Sequence, residues 1–402
     1  MSISDKTKKI IDEADRYGAH NYHPLPVVLC RGEGVWVWDV DGKKYLDCLS
    51  AYSAVNQGHC HPRIVKALVE QSSKFSLSSR AFHNDQMGSF LKAICEFSGF
   101  EKALPMNSGA EAVETAIKAL RKWGYLKKGV AAEQAEIIVC SNNFHGRTVS
   151  IVSFSSEEGY REGFGPFTPG FKIISYNDLQ AFEEAITKNT VAFLLEPIQG
   201  EAGILIPDKG YLKGVQQICK KNNVMLAVDE IQTGLGRTGR DFCFQHELSE
   251  NPDVLILGKA ISGGLYPVSV MLASEEILGV FKPGQHGSTF GGNPLGSRVA
   301  AEALAVIKDE KLSQRAAQLG EGFIAKLKTI SSSHVEEVRG LGLMIAIEIK
   351  KSSGPARPFC EKLQALGVLA KETHGQSIRL APPLVIKQEE LDWLFEQIKS
   401  VL

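Results

Sequence analysis

The stretch Val254-Leu255-Ile256-Leu257-Gly258-Lys259-Ala260-Ile261-Ser262-Gly263-Gly264 decides how the rest of the chain is read. Four consecutive apolar residues suit a strand buried on both faces of a parallel sheet, and the run stops at Gly258-Lys259. The small residues beyond it let a flat ligand approach the backbone. Two other apolar runs end in acid: residues 191–195 lead into Glu196-Pro197, and residues 224–228 lead into Asp229-Glu230. Three buried strands would thus deliver charge to one sheet edge. In open α/β sheets, ligands bind in the crevice beyond the carboxyl ends of the strands.

A buried lysine loses affinity for its proton through desolvation, which is the state that attacks a carbonyl to form a Schiff base. The cofactor that uses such a lysine, with an acid opposite its pyridinium nitrogen, is pyridoxal phosphate. A Lys259–Asp229 ion pair capping the sheet would account for the same positions, and strand-end placement alone leaves both readings open.

Composition narrows the class. At 402 residues the chain is long for one core, so two lobes are expected. A hydrophobic content of 44%, with 38 Gly and 16 Pro, fits a globular α/β protein. The 45 Lys and Arg nearly balance the 46 Asp and Glu, so no overall field favours nucleic acid or an anionic membrane. Cysteines at 30, 48, 60, 95, 140, 219, 243 and 360 form no C-x-x-C pair and no dense framework, which reads as reduced thiols in the cytoplasm. His59-Cys60-His61 reads as a turn before a helix opened by Pro62 rather than a metal site, because adjacent side chains splay apart. Residues 1–19 carry Asp5, Asp12, Glu13 and Asp15 and no apolar stretch of signal-peptide length, so neither a secretory signal nor a transit peptide is expected. No run approaches the length of a membrane span.

In chain order, residues 5–17 read as a helix, and Pro24 and Pro26 then impose an extended arm. Residues 35–40 alternate toward the turn signal Asp41-Gly42, and Tyr45-Leu46 returns as a second strand. Ile64, Val65, Leu68 and Val69 have helical spacing after Pro62. Ser108-Gly109-Ala110-Glu111 opens a second amphipathic helix. Its free amides and dipole suit an anion, although an ordinary N-cap by Ser108 needs no ligand. Residues 137–140 form a strand that delivers Phe144 and Arg147 to the same edge. Phe144 could stack on a ring or simply fill core, and Arg147 could grip a carboxylate or form a surface ion pair. The Gly-rich stretch 284–294, with Ser288 and Thr289, reads as a loop that is either flexible or a second contributor to a phosphate or subunit contact. Helices are expected over 300–308, 312–330 and 359–366, with strands over 343–348 and 377–380.

Gly234-Leu235-Gly236-Arg237-Thr238-Gly239 matches the dinucleotide fingerprint G-x-G-x-x-G and raises a nicotinamide-dependent dehydrogenase as a rival. The context fails, because residues 241–247 read as extended or irregular where an amphipathic helix should follow.

Longer motifs carry a resemblance over nearly the whole chain. Leu195-Glu196-Pro197-Ile198-Gln199-Gly200-Glu201, the run Asp229 to Gly239 and Gly258-Lys259-Ala260, together with residues 18–27 and 50–62, resemble the class III pyridoxal-phosphate aminotransferases. Within them the chain is most similar to the ornithine δ-aminotransferase branch. The resemblance implies a fold type I α/β architecture, with a large domain on a mixed, mostly parallel sheet and a smaller α+β domain. The boundaries expected are an N-terminal arm and small-domain segment over 1–48, a large cofactor-binding domain over 49–295 and a C-terminal small domain over 296–402. It also implies roles. Lys259 would hold the cofactor, pyridoxal 5'-phosphate, and shuttle the proton; Asp229 would pair with the pyridinium nitrogen. Gln232 would meet the ring phenol oxygen, Phe144 would stack on the ring, and Ser108, Gly109 and Ala110 would cradle the phosphate. Ser288 and Thr289 would reach the partner subunit's phosphate, which requires a homodimer. Glu201 would neutralise Arg379 while ornithine reacts and release it for 2-oxoglutarate, Arg147 would take the remote carboxylate, Tyr22 would help select ornithine and Tyr52 would line the pocket.

The activity implied is transfer of the δ-amino group of L-ornithine to 2-oxoglutarate, giving L-glutamate and glutamate 5-semialdehyde, which cyclises to pyrroline-5-carboxylate, in arginine catabolism or proline biosynthesis. An acetylornithine or 4-aminobutyrate aminotransferase is the nearest alternative, an aminomutase a further one, and a catalytically dead binding module is disfavoured by the presence of both Lys259 and Asp229.

Overall fold

The computed structural model describes residues 3–402. The apolar runs build a seven-stranded sheet in the order Lys102–Met106, Ser269–Ala273, Val254–Leu257, Met225–Asp229, Thr190–Leu195, Glu136–Cys140, Phe171–Ile174. Ser269–Ala273 is antiparallel to both neighbours, and the remaining pairs are parallel.

Why the runs are apolar throughout follows from how their side chains divide. Ile138, Phe193, Leu195, Leu226, Val228, Leu255 and Leu257 face one core, shared with the helices Tyr211–Lys221 and Pro294–Asp309. Ile137, Val139, Ala192, Leu194, Ala227, Val254 and Ile256 face the other, covered by the helix Gly109–Trp123. A period-2 strand between two helical layers needs apolar residues at every position.

Two four-stranded sheets flank this unit. Leu29–Glu33, Trp36–Asp39 and Lys44–Asp47 form an antiparallel meander, and Val368–Leu369 from the far end of the chain adds to it in parallel. Val335–Leu341, Met344–Ile349, Ser377–Leu380 and Lys371–Thr373 make the other sheet, antiparallel throughout. No helix among the described residues is long and apolar enough to cross a membrane.

The helix Asp5–Tyr17 matches the expectation, capped by Ser4, whose hydroxyl accepts the Thr7 N–H at 3.0 Å. The helix expected from residue 300 begins at Pro294 instead. Asn293 caps it, accepting the Gly296 N–H at 2.8 Å, and proline is pre-set for the first helical position. In Pro62–Ser72, Ile64 is fully buried but Val69 is 57% exposed, so the apolar stripe is narrower than its spacing suggested. Residues 241–247 hold one 3-10 turn, Cys243–His246.

The glycine run 234–239 is filled by its own arginine. Arg237 is fully buried and donates to Leu343 O at 2.9 Å, Pro382 O at 2.6 Å and Asn56 Oδ1 at 2.6 Å. A Cβ on Gly239, whose φ is +94°, would lie 2.9 Å from Ala317 Cα. The loop is packed by Arg237 and at Gly239 and is followed by a single 3-10 turn, Cys243–His246, and not by the amphipathic helix that a dinucleotide fingerprint needs, which argues against the dinucleotide rival.

Candidate active site

Glu196, Asp229 and Lys259 stand at or just beyond the ends of three neighbouring strands and line one cleft of about 200 Å³ with Gly109, Ala110, Phe144 and Gln232. Lys259 has φ +47°, in the left-handed region that a long side chain rarely adopts. Such a backbone costs roughly 1–3 kcal/mol and persists where packing over-determines it. Here Ala260, Ile261 and Ser262, all buried, anchor the turn behind it. Burial lowers the basicity of Lys259, and the nearby Glu201 and Asp229 carboxylates only partly restore it.

Asp229 is held from two sides. Its Oδ1 accepts the Ile231 N–H at 3.0 Å, and its Oδ2 lies 2.7 Å from His145 Nδ1. Both side chains are buried. Burial opposes a charge on His145, but the hydrogen bond and charge of Asp229 outweigh it and raise the imidazole's affinity for a proton. No role for His145 was legible in the sequence. Its one available signal was adjacency to Phe144, on a loop entering the same edge.

That loop is pinned. Asn143 Nδ2 donates to Cys140 O at 2.6 Å and to Phe154 O at 2.9 Å, and Phe144 N–H donates to Glu196 Oε2 at 3.0 Å. Burial pushes the Glu196 carboxyl up to about 7.

The helix Gly109–Trp123 starts with a capping box. Ser108 Oγ accepts the Glu111 N–H at 3.2 Å, while Glu111 Oε2 accepts the N–H groups of Ser108 at 2.8 Å and Asn107 at 3.0 Å. Of the first-turn amides without helical partners, the box takes up those of Ser108 and Glu111 and leaves those of Gly109 and Ala110 facing the cleft. A Cβ on Gly109 would sit 2.9 Å from Ile231 Cδ1, so the cradle is tight. Ser288 Oγ accepts from Asn107 Nδ2 at 2.7 Å within the same chain, and Thr289 is exposed beside it.

A second chamber opens beyond Phe144. Arg379 Nη1 lies 2.8 Å from Glu201 Oε1, and its Nη2 donates to Gly200 O at 2.9 Å. Gln232 Nε2 also donates to Glu201 Oε1, at 3.0 Å. Burial works against the Glu201 charge, but Arg379 and Gln232 prevail and hold its carboxyl down to about 2. Tyr52 places its ring 5.4 Å from the Arg379 guanidinium carbon. It does so from a left-handed turn, Ser50 to Ser53, with φ between 47° and 70°. Ser50 Oγ anchors that turn by donating to Ala381 O at 2.6 Å. Arg147 stands apart from Arg379, packed on the rings of Tyr160 at 4.7 Å, Phe144 at 5.6 Å and Tyr22 at 5.8 Å. Tyr22 is 63% exposed at the mouth. His59 and His61 go elsewhere, paired with Asp47 at 2.7 Å and Glu310 at 2.9 Å.

The arrangement offers a nucleophilic amine, a buried anion opposite it, an anion cradle and two separated guanidinium groups, one of them masked.

Comparison with known proteins agrees with that inventory. Residues 17–402 match the family model described as aminotransferase class III. A protein of Brevibacillus brevis named ornithine aminotransferase is 58% identical over 397 residues, covering 99% of this chain and 98% of that protein. The crystal structure of the ornithine aminotransferase from Toxoplasma gondii superposes with a TM-score of 0.97 at 43% identity, over 98% of this chain and 94% of that one. The acetylornithine aminotransferase from Elizabethkingia anophelis superposes with a TM-score of 0.89 at 51% identity, over 98% of each chain. The fold is that of the fold type I pyridoxal-phosphate enzymes, and the chain belongs to the class III aminotransferases.

Proposed function

We propose that this enzyme transfers the δ-amino group of L-ornithine to 2-oxoglutarate, yielding L-glutamate and glutamate 5-semialdehyde, which cyclises to pyrroline-5-carboxylate. The observation that carries the reading is the Glu201–Arg379 pair at 2.8 Å, set against a separate Arg147. Ornithine brings no carboxylate close to its reacting amine, whereas glutamate brings one close and one remote. A pocket serving both must hide the near cation for the first substrate and release it for the second. The relatives named ornithine aminotransferase support the same substrate.

Pyridoxal 5'-phosphate is the cofactor of this family, and the residues fit it. Lys259 enters the cleft with weakened basicity, Gly109 and Ala110 offer amides at a helix N-terminus, and Gln232 Oε1 is buried without a partner on the cleft wall. Asp229 would hold the pyridinium proton, Phe144 would lie on the ring, Gln232 would meet the phenol oxygen, and Ser108, Gly109 and Ala110 would hold the phosphate. When bound, the cofactor supplies an electron sink for charge released at the carbon bearing the transferred amine. Lys259 takes the proton from that carbon and returns it to complete the transfer. His145 fixes the Asp229 carboxylate, and Arg147 orients the far end of either substrate.

We further infer a homodimer, in which Ser288 and Thr289 reach the phosphate of the partner subunit. The domain boundaries at 48/49 and 295/296 belong to the same reading. The eight free cysteines fit a reducing cytoplasm, and the product places the enzyme between arginine catabolism and proline biosynthesis.

An acetylornithine aminotransferase is the second reading, favoured by the 51% identity to the Elizabethkingia anophelis protein. The test mixes the yellow holoenzyme separately with L-ornithine, N-acetylornithine and 4-aminobutyrate and follows loss of the cofactor's absorbance. Rapid bleaching by ornithine, with pyrroline formed, is expected. Bleaching by N-acetylornithine alone would reject the substrate assignment.

A further inference from the structure

The vestibule that holds Arg147 contains a second uncommitted charge. Tyr22, Tyr52, Arg147, Glu157, Tyr160 and His374 all line it. Arg147 packs on three rings rather than on a carboxylate. Two other acids border the chamber, and both are engaged: Glu201 by Arg379 and Gln232, and Glu372 by Arg357 at 3.1 Å and Lys371 at 3.5 Å. Glu157 is different. One basic group stands near it: His374 Nε2 lies 3.6 Å from Glu157 Oε1, within ion-pair range but beyond hydrogen-bond reach, and the Glu157 and His374 side chains are 38% and 42% exposed.

Glu157 is also tied through the backbone to the ring on which Arg147 packs. Glu157 begins the turn Glu158–Tyr160, its carbonyl accepting the Tyr160 N–H at 3.1 Å. Tyr160 is the ring nearest the Arg147 guanidinium, at 4.7 Å. One turn therefore presents both the aromatic platform for the cation and a carboxylate that lines the same chamber.

A guanidinium and a carboxylate with no hydrogen-bonded partner, sharing one chamber, match the two charges on the α-carbon of a free amino acid. We propose that Glu157 is a specificity residue that receives the α-ammonium group of the substrate while Arg147 takes its α-carboxylate. This rests on the reading of L-ornithine as amino donor and extends it. N-acetylornithine and 4-aminobutyrate have no ammonium to offer at that position. L-Glutamate places only its remote carboxylate there, so Glu157 contributes nothing to the second half-reaction.

The experiment compares half-reaction kinetics of wild-type holoenzyme, Glu157→Gln and Glu157→Asp with L-ornithine, 5-aminopentanoate and L-glutamate. 5-Aminopentanoate is ornithine without the α-ammonium. A charge-assisted hydrogen bond lost at this remote end should lower kcat/KM for ornithine about tenfold in Glu157→Gln, mostly through KM. The other two donors should change less than about twofold, and Glu157→Asp should keep part of the ornithine preference. An equal loss with all three donors would mean that Glu157 only shapes the turn, and an unchanged ornithine rate would mean that it does not meet the substrate. Either result overturns the assignment while leaving the ornithine reading intact. A wild-type enzyme unreactive with ornithine would overturn both.

Discussion

Replacing Glu201 by Gln removes the charge opposite Arg379 while keeping the length and hydrogen-bonding reach of the side chain. The Glu201 carboxyl sits at about 2 against an ordinary 4.5. That depression corresponds to roughly 3 kcal/mol of favourable interaction with its surroundings, dominated on the attractive side by Arg379. On the proposed function, this interaction would keep the pocket neutral in the ornithine half-reaction as a cationic amine approaches Lys259. In the glutamate half-reaction it must be broken before the near carboxylate of the substrate can reach Arg379. The variant should therefore slow ornithine and spare or favour glutamate, shifting the ratio of their kcat/KM values by up to about a hundredfold. Single-turnover bleaching of the cofactor absorbance with each donor measures that ratio directly. Equal effects on both donors would refute the masking argument and leave the pair as a structural salt bridge. The sign of the pH dependence is also fixed. Because the folded value lies below the ordinary one, the pair is fully formed above about 4.5 and is lost only as the pH falls toward 2. On the proposed function, an exchange of Arg379 between partners near neutral pH would thus be driven by the substrate and not by titration.

His145→Phe leaves Asp229 with one partner instead of two. Turnover should fall about tenfold to a hundredfold, and the spectroscopic titration of the bound cofactor should move; an unaltered titration would show that the imidazole only fills space. Lys259→Ala should abolish turnover, and borohydride should add the cofactor's mass to the Lys259 peptide of the wild type but not of the variant. Label on another lysine would reject the assignment. Glu196 has a folded value of about 7 against an ordinary 4.5, so its contribution to stability is greatest below 4.5 and is lost as the pH rises through 7. Glu196→Gln should remove up to roughly 3 kcal/mol of stability loss between these limits, read as a flatter dependence of the urea midpoint on pH. A pH dependence identical to wild type would rule that out.

The charged strand ends were legible in the sequence because each apolar run stopped abruptly at its acid or lysine, and chain order alone then placed them at one edge. The His145–Asp229 bond was not. Its partners follow strands separated in the sheet by Thr190–Leu195, and nothing local to either residue reports that spacing. The left-handed turn at Tyr52 was equally hidden, since Ser-Ala-Tyr-Ser contains no glycine or asparagine to announce positive φ. Asn293-Pro294 did carry a helix-start signal, but the glycines before it favoured a loop reading.

The meander at the start of the chain has an implication for how the protein is made. Its fourth strand, Val368–Leu369, and the acceptor of Lys43 at Ala365 O, 322 residues away, leave the ribosome only after the seven-stranded sheet has been synthesised. Trp36 waits still longer for Glu390, which accepts its indole N–H at 2.8 Å. The first three strands can pair with one another as they emerge, but the outer edge of Lys44–Asp47 stays open until Val368–Leu369 arrives. A chain truncated before residue 365 would keep the central sheet and the strand ends that carry Lys259 and Asp229, yet lack the segment that seals its own beginning.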